Sequence, residues 1–457
     1  MGTVRVFLFI TVLLCLTTRS WAQTRDTSST ALHATRDTTF NTSEYLTLRQ
    51  CIDYAMIHQP ALNKSVINVD IAKTTNAINL AAWLPQVSAS GELIHNIQQP
   101  NINTTQTTGS STTRQSVANT FVPGVAVSQA IFSPNLLYTS RSAPFYTKQA
   151  EQATDSTKIF LVSSVSKSFY NVLLTLEQIN ILKEDTTRLG KNLRDAYHQY
   201  KGGIVDETDY EEASITLNNS KAQLKQATEN VVPQYAALKQ LIGFPPEKQF
   251  NVSFDTLQMM RDIPIDTTQQ LQYEKRIEYQ QVATSKGLQN ELVKYYGYSF
   301  LPTVSAFFNY NLEFENNNFS KLFGSSYPSS LIGLSFNIPI FTGFARLHNL
   351  HKAKLQQQLL NWDETDLRSQ IYKEYTTALA NYKSNLYNFS LLQKNVAMAK
   401  RVYFVVTLQY KQGIIPYLNV ITAESNLISS EISYLNALFQ VLSNKIDLQK
   451  AMGNISY

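Results

Sequence analysis

Cysteine is scarce in this sequence, with Cys15 and Cys51 the two it has among 457 residues. Cys15 lies in an N-terminal stretch that reads as a secretory signal peptide, so processing leaves only Cys51 and no intrachain disulfide can form. In that stretch, residues 1–22, Arg5 precedes an apolar run at 6–16, and Ser20-Trp21-Ala22 sets small residues at −3 and −1 before Gln23. The run is too short to span a bilayer. Leu14 precedes Cys15 where a lipoprotein signal needs a small residue, so no lipid anchor is expected. Cys51 reads as a small buried residue of a helix. Beyond residue 22 no uninterrupted apolar run approaches ~20 residues, so no transmembrane helix is expected. Net charge is also low: losing Arg5 and Arg19 with the signal takes +5 to +3, which argues against a nucleic-acid footprint. There is no Gly-rich phosphate loop, no zinc spacing and no recognisable Ser/His/Asp arrangement. Hence no catalytic residue, cofactor or metal site is expected, and no enzymatic activity. His348 and His351 stand at i and i+3 without a third ligand nearby. Asn41, Asn103 and Asn251 open Asn-x-Ser/Thr triplets and read as ordinary polar residues.

What the chain does have is repetition and long helices. Residues 23–44 are polar and Thr-rich without a period and read as a mobile arm. After them Leu84-Pro85-Gln86-Val87-Ser88-Ala89 recurs as Leu301-Pro302-Thr303-Val304-Ser305-Ala306, 217 residues on. Residues 124–132, ending Ala130-Ile131-Phe132, recur at 333–341, ending Pro339-Ile340-Phe341. Tyr200-Lys201-Gly202-Gly203-Ile204-Val205 recurs as Tyr410-Lys411-Gln412-Gly413-Ile414-Ile415, and Leu238 with Gly243 as Leu448 with Gly453. Landmarks in one order at a nearly constant offset indicate a duplication. The first structural repeat is 45–243, with strands at about 84–97 and 121–132. A linker at 244–266 joins it, at the equator, to a second repeat at 267–457, with strands at about 301–315 and 331–341.

Each repeat reads helix, strand, strand, long helix, helix. The first helices are expected at about 46–82 and 267–297, the long ones at 134–201 and 344–412, and the closing ones at 204–242 and 414–452. At 1.5 Å per residue the long helices span roughly 100 Å and the closing ones roughly 60 Å. A first and a closing helix laid end to end match one long helix, which suggests a rod of side-by-side helices. In the last helix Ile421, Ser425, Ile428, Ile432, Leu435, Phe439, Leu442 and Ile446 alternate steps of four and three, a coiled-coil seam. Leu427, Tyr434, Val441 and Leu448 run beside it, matched by Leu217, Leu224, Val231 and Leu238. So wide a stripe lets one helix touch neighbours on two sides, as a closed ring requires.

The strands bear on the membrane. Val304, Ala306, Phe308, Tyr310, Leu312 and Phe314 fall on one face, and Ser305, Asn309, Asn311, Glu313 and Glu315 on the other, with Phe307 the exception. Ile332, Leu334, Phe336, Ile338 and Ile340 alternate with Gly333, Ser335, Asn337 and Pro339. Some ten residues of apolar-out, polar-in repeat is the pattern of a lipid-embedded barrel strand. The first-repeat strands alternate more weakly, and residues 98–120 and 316–330 suit water-facing loops. Four strands cannot close a barrel, and open edges in a bilayer cost several kcal/mol per unpaired group. Three chains would supply twelve strands, whereas eight give a barrel filled by its own side chains. The fold class expected is therefore mainly α with a small transmembrane β part: a duplicated unit, a trimeric 12-stranded β-barrel and an α-helical coiled-coil tunnel. An exported coiled-coil structural or adhesive protein with soluble hairpins is the alternative, since a sheet with one wet face alternates in the same way.

Leu46-Thr47-Leu48 with Ala55, Ala82-Trp83-Leu84-Pro85, Phe300-Leu301-Pro302, Leu334-Ser335-Phe336 through Phe341-Thr342-Gly343, and Tyr410-x-x-Gly413 with Leu418 and Val420 carry a resemblance. In order and duplicated spacing they resemble the TolC-like outer-membrane efflux protein family over nearly all of the mature sequence. That resemblance implies a homotrimer in the outer membrane of a Gram-negative bacterium, extending through the periplasm. It implies a passive conduit for small molecules or proteins in a tripartite efflux or type I secretion system, working with a periplasmic adaptor and an inner-membrane pump. Tyr200, Gly203, Tyr410 and Gly413 would then mark the periplasmic tip. Family members can carry an acidic ring just past the second turn. Here those positions hold Asn419 and Thr422, while Asp209 and Glu212 supply acid in the first repeat. The arginine that accompanies the tip tyrosine is replaced by Ile415. Val304, Phe308, Tyr310, Leu312, Leu334, Phe336 and Ile338 would face lipid.

Overall fold

The computed structural model describes residues 45–98, 117–253, 259–260 and 263–457. The expected signal segment and arm, Asn41, Asn103 and most of the loop at 98–120 lie outside the described residues. The chain divides into two units: Met1–Leu46 with Lys248–Asn251, and Thr47–Glu247 with Val252–Tyr457. Of the small unit, Tyr45, Leu46 and 248–251 are described. Everything below belongs to the large unit.

Seven helices and a four-stranded sheet build it among the described residues. Helices α1 (Leu48–His58) and α2 (Pro60–Leu80) lead to strands β1 (Gln86–His95) and β2 (Asn119–Phe132). Helices α3 (Pro134–Lys201) and α4 (Glu207–Ile242) follow. The second repeat holds α5 (Ile277–Tyr298), β3 (Thr303–Asn316), β4 (Ser326–Asn337), α6 (Ala345–Lys411) and α7 (Tyr417–Ala451). The 68 and 67 residues of α3 and α6 correspond to roughly 100 Å each at the α-helical rise.

Local chemistry explains where the first helices differ from expectation. Thr47 and Gln50 form a reciprocal capping box that starts α1. One helix is expected to about residue 82, but Pro60 holds Gln59 extended and starts a new helix at its own favoured first position. In the second repeat the helix begins at Ile277, ten residues later than expected. There Asp266 accepts from both the amide and the hydroxyl of Thr268, a local turn that competes with helix.

Both breaks serve one purpose. Gln59 donates to the carbonyls of Gln240 and Leu241, the last turn of α4, at 3.2 and 2.8 Å. Its counterpart Arg276, only 4% exposed, donates to the carbonyl of Ala451, the last residue of α7, at 3.1 Å. Arg276 also binds Glu278 and Glu374 at 2.9 and 2.8 Å. In each repeat the residue just before a helix of the first segment, Gln59 before α2 and Arg276 before α5, thus donates to carbonyls in the last turn of the closing helix.

Helix α3 is the spine. Its N-terminal half meets α2 and α5, through Asn76 on the carbonyl of Ala143 and Gln149 on Ser285. Its C-terminal half packs on α4, with Ile179, Leu182 and Ala227 buried together. Part of α3 is long and apolar enough by composition to cross a bilayer, but 56% of that window is buried inside the chain. Cys51 is fully buried, and burial pushes its thiol up to about 12.

The sheet runs β1-β2-β3-β4, antiparallel throughout. Its register sets Leu93, Phe121, Phe314 and Ser326 in one cross-strand row, and Ala89, Val125, Tyr310 and Ser330 in another. A third row holds Phe308 with Val127 and Ile332. The expectation for the last strand, 331–341, needs correction: β4 starts at Ser326 and stops at Asn337, so Ile338 and Ile340 lie beyond it. Asn337 pairs with Thr303, which follows Pro302 and is the first residue of β3, and Pro339 has no amide to donate. The connection expected at 316–330 is accordingly short, with a 3-10 turn at Phe319–Gly324. Phe307, the apolar exception on the polar face, lies across Gly333: a Cβ there would come within 2.7 Å of its ring. Gly333→Val is expected to cost about 1–3 kcal/mol through overpacking. Adding Phe307→Ala should recover most of that loss, as denaturant titration of the detergent-solubilised protein would measure.

Candidate functional site at the helical turns

Two turns reverse the long helices. Gly203 and Gly413 adopt φ +71° and +70°, the left-handed conformation that ends helices most cheaply at glycine. The amides of Ile204 and Ile414 reach back to the carbonyls of Gln199 and Gln409, at 2.9 and 3.0 Å. The two turns are therefore capped alike. Ala196 of α3, Ala213 of α4, and Tyr417 and Val420 of α7 form one buried cluster beside them, with Tyr403, Val406 and Tyr410 of α6 packed against it.

The tyrosines of the duplicated turn have different partners. Tyr200 stacks almost parallel on Tyr210, and Lys201 sits over the rings of Tyr200 and Tyr197 at 5.2 and 5.6 Å. Tyr410 donates to the side-chain oxygen of Gln199 and lies 5.3 Å from the ring of Tyr417. Burial pushes the Tyr410 phenol up, and the nearby Asp209 and Asp195 add to this. Asp209 is half-buried in the first turn of α4, and burial, followed by Asp206, pushes its carboxyl up. Glu212, Asn419 and Thr422 are exposed, and Ile415 is half-buried. The Tyr417 hydroxyl is buried and has no hydrogen-bond partner among the described residues.

A polar cluster missed by the sequence reading lies behind the turns. Arg188 of α3 contacts Asp185 of the same helix at 3.2 Å and Glu424 of α7 at 3.3 Å. Both carboxylate side chains are 1% exposed. Asn192 donates to Glu424 at 3.0 Å and Ser220 to Asp185 at 2.6 Å. The signal was present: Tyr417, Val420, Glu424 and Leu427 follow steps of three and four, so Glu424 interrupts an apolar stripe.

A duplicated coiled-coil rod bearing a sheet with one apolar face defines the class as an outer-membrane channel subunit. The chain belongs to the outer membrane efflux protein family, whose pattern matches residues 51–244 and 288–454. It is similar to the probable efflux pump outer membrane protein TtgC of Pseudomonas putida, 21% identical over 89% of this chain and 82% of that one. It is also similar to the cation efflux system protein CusC of Escherichia coli, 23% identical over 66% of each chain. Among solved structures, CusC aligns with a TM-score of 0.74 at 18% identity, covering 89% of this chain and 91% of that one. The Campylobacter jejuni CmeC outer membrane channel aligns with a TM-score of 0.72 at 22% identity, covering 89% and 85%. The protein is thus an outer-membrane efflux channel component of a Gram-negative bacterium.

The half-buried Tyr410 and the buried Tyr417 make opposite predictions. Tyr410→Phe loses the bond to Gln199 and is expected to cost about 0.5–1.5 kcal/mol. Tyr417→Phe removes a buried hydroxyl without a partner and should be neutral or stabilising. Thermal unfolding of the two variants beside the parent checks both signs.

Proposed function

We propose that three copies of this chain close a twelve-stranded barrel, and that the helices continue it as a passive periplasmic tunnel without enzymatic activity. One observation carries the reading. The sheet has unpaired edges at β1 and β4, and no described part of the chain covers its apolar face: Ile332, Leu334 and Phe336 are 79, 58 and 62% exposed. Unpaired strand edges in lipid are costly, and an apolar patch of this kind marks an interaction surface. Val304, Phe308, Tyr310, Leu312, Leu334 and Phe336 share the lipid-facing side in this reading, with Ile338 just below the barrel. Four strands per chain and the width needed for a duct favour three copies over two.

At the other end, the turns at Gly203 and Gly413 form the entrance, where Tyr200 and Tyr410 hold the helices together and a periplasmic adaptor meets the channel. Asp209 and Glu212 give that entrance its negative charge, in place of Asn419 and Thr422. An inner-membrane pump supplies energy and selects the cargo, while this chain contributes geometry and charge.

Two experiments test the reading. Leu334→Arg and Phe336→Arg should each cost about 2–4 kcal/mol at the membrane midplane. Both should abolish the heat-sensitive band near three subunits on unboiled gels of outer membranes. Parental amounts of that band in both variants would defeat the lipid assignment, and a chain washed free by alkali would favour a coiled-coil structural protein. At the entrance, Asp209→Asn with Glu212→Gln should lower cation preference in planar-bilayer reversal potentials, most visibly at low salt.

A further inference from the structure

The cluster at Asp185, Arg188 and Glu424 joins the helices of one turn to those of the other. Asp185 and Arg188 sit on α3, which pairs with α4; Glu424 sits on α7, which pairs with α6. Its charges do not balance. Two buried carboxylates face one guanidinium, and the neighbouring Asn192 and Ser220 are neutral donors. The guanidinium of Arg188 also lies over the ring of Tyr403, 5.7 Å from its centre. An uncompensated buried charge is costly, so the packed cluster favours one retained proton. Asp185 and Glu424 also line a groove of 470 Å³ bounded by Thr216, Ser220 and Gln223 of α4 and Ser425 of α7, which gives protons a route in.

We propose that Asp185, Arg188 and Glu424 form a proton-dependent clamp that holds the α6–α7 pair against the α3–α4 pair behind the tip. Its role in the tip rests on the channel reading above. With one carboxyl protonated the cluster is neutral and the pairs stay packed. With both ionised it carries a net negative charge that hydration relieves, so the pairs part.

The groups facing Glu424 set the direction. Burial pushes its carboxyl up to about 7, with Asp185 adding to this and Arg188 and Asn192 opposing it. Asp185 is pushed up mainly by burial, with Glu431 adding to it and Ser220 and Arg188 opposing. Glu431 itself pairs with Lys400 of α6 at 3.1 Å. Tyr403 of α6 and Tyr417 of α7 also face Glu424, and both are phenols pushed up chiefly by burial. They stay neutral through this range. Between the ordinary carboxylate range and pH 7 the packed state therefore holds more protons than a hydrated one. It is favoured at acid pH and weakens as pH rises towards 7.

Distance measurement by double electron–electron resonance tests this in the full-length assembly. Cys51 is buried, so spin labels can be directed to cysteines introduced at exposed Lys191 on α3 and Asn426 on α7. From pH 5.5 to 8.5 the packed-to-parted ratio is expected to fall at least about tenfold, most of the fall coming below about pH 7 and little above it. Glu424→Gln, nearly isosteric and always neutral, should stay packed and show no pH response. A parent distance that does not change with pH, or a response that persists in Glu424→Gln, would overturn the clamp. Diluting the doubly labelled chain with unlabelled copies confines the distance to one chain, so this result is separate from the oligomer band that tests the barrel.

Discussion

Inside a bilayer no water reaches a backbone amide, so a strand edge there must find another strand. Among the described residues this sheet has four strands and two open edges, and none of them covers its apolar face. Much of the rest of the molecule can be traced to that constraint. A chain whose sheet is completed by other copies must hold its strands in a fixed relation to those copies. Long helices anchored at both ends supply such a frame. Gln59 and Arg276 fasten the closing helices in the middle of the chain, and the two glycine turns cap the far end.

Duplication gives these anchors their symmetry, and the departures from symmetry are where specific chemistry enters. The turns at Gly203 and Gly413 are capped by equivalent bonds, yet Tyr200 packs within its own turn while Tyr410 reaches across to Gln199. Gln59 and Arg276 do the same job, one as a neutral amide and the other as a buried cation with two carboxylates. Glu424 stands where the offset of 210 places Ser214, so of the two closing helices only α7 contributes a carboxylate to the buried cluster. Repetition provides the frame, and single substitutions within it make two similar halves behave differently.

The features legible in the sequence were those that repeat over many residues. Both long helices agree with their expected spans within a residue at each end, because the glycine turns after Lys201 and Lys411 mark their ends and no proline beyond Pro144 interrupts them. Strand alternation was readable in β3, where each side chain keeps to its face. The end of β4 was misplaced because apolar alternation continues through Ile338 and Ile340, while pairing ends where Pro302 sets the start of its partner. Alternation reports which faces a strand would present, not whether a partner is there. The helix break at residues 59–60 and the late start of α5 depend on one proline and one local turn, signals weaker than the surrounding pattern. At the tip, the turn residues were visible as a repeated motif. Gln199 as the partner of Tyr410, and Asn192 as that of Glu424, were not, since nothing in a sequence says which of several helices lies alongside.

The ladder between β2 and β3 has a consequence for how the molecule is made. Phe121 and Phe314 pair directly although 193 residues separate them, and the whole of α3 and α4 lies between. Hairpins within each repeat close short loops, but this seam closes one that spans nearly half the chain. Pairing of such high sequence separation is slow compared with zipping neighbouring helices. The four-stranded sheet, and with it a continuous greasy surface, therefore comes into being only after both repeats have reached the same compartment. Before that seam closes, each repeat can offer at most one hairpin, which is marginal on its own, so the surface that meets the membrane is among the last parts of the fold to form.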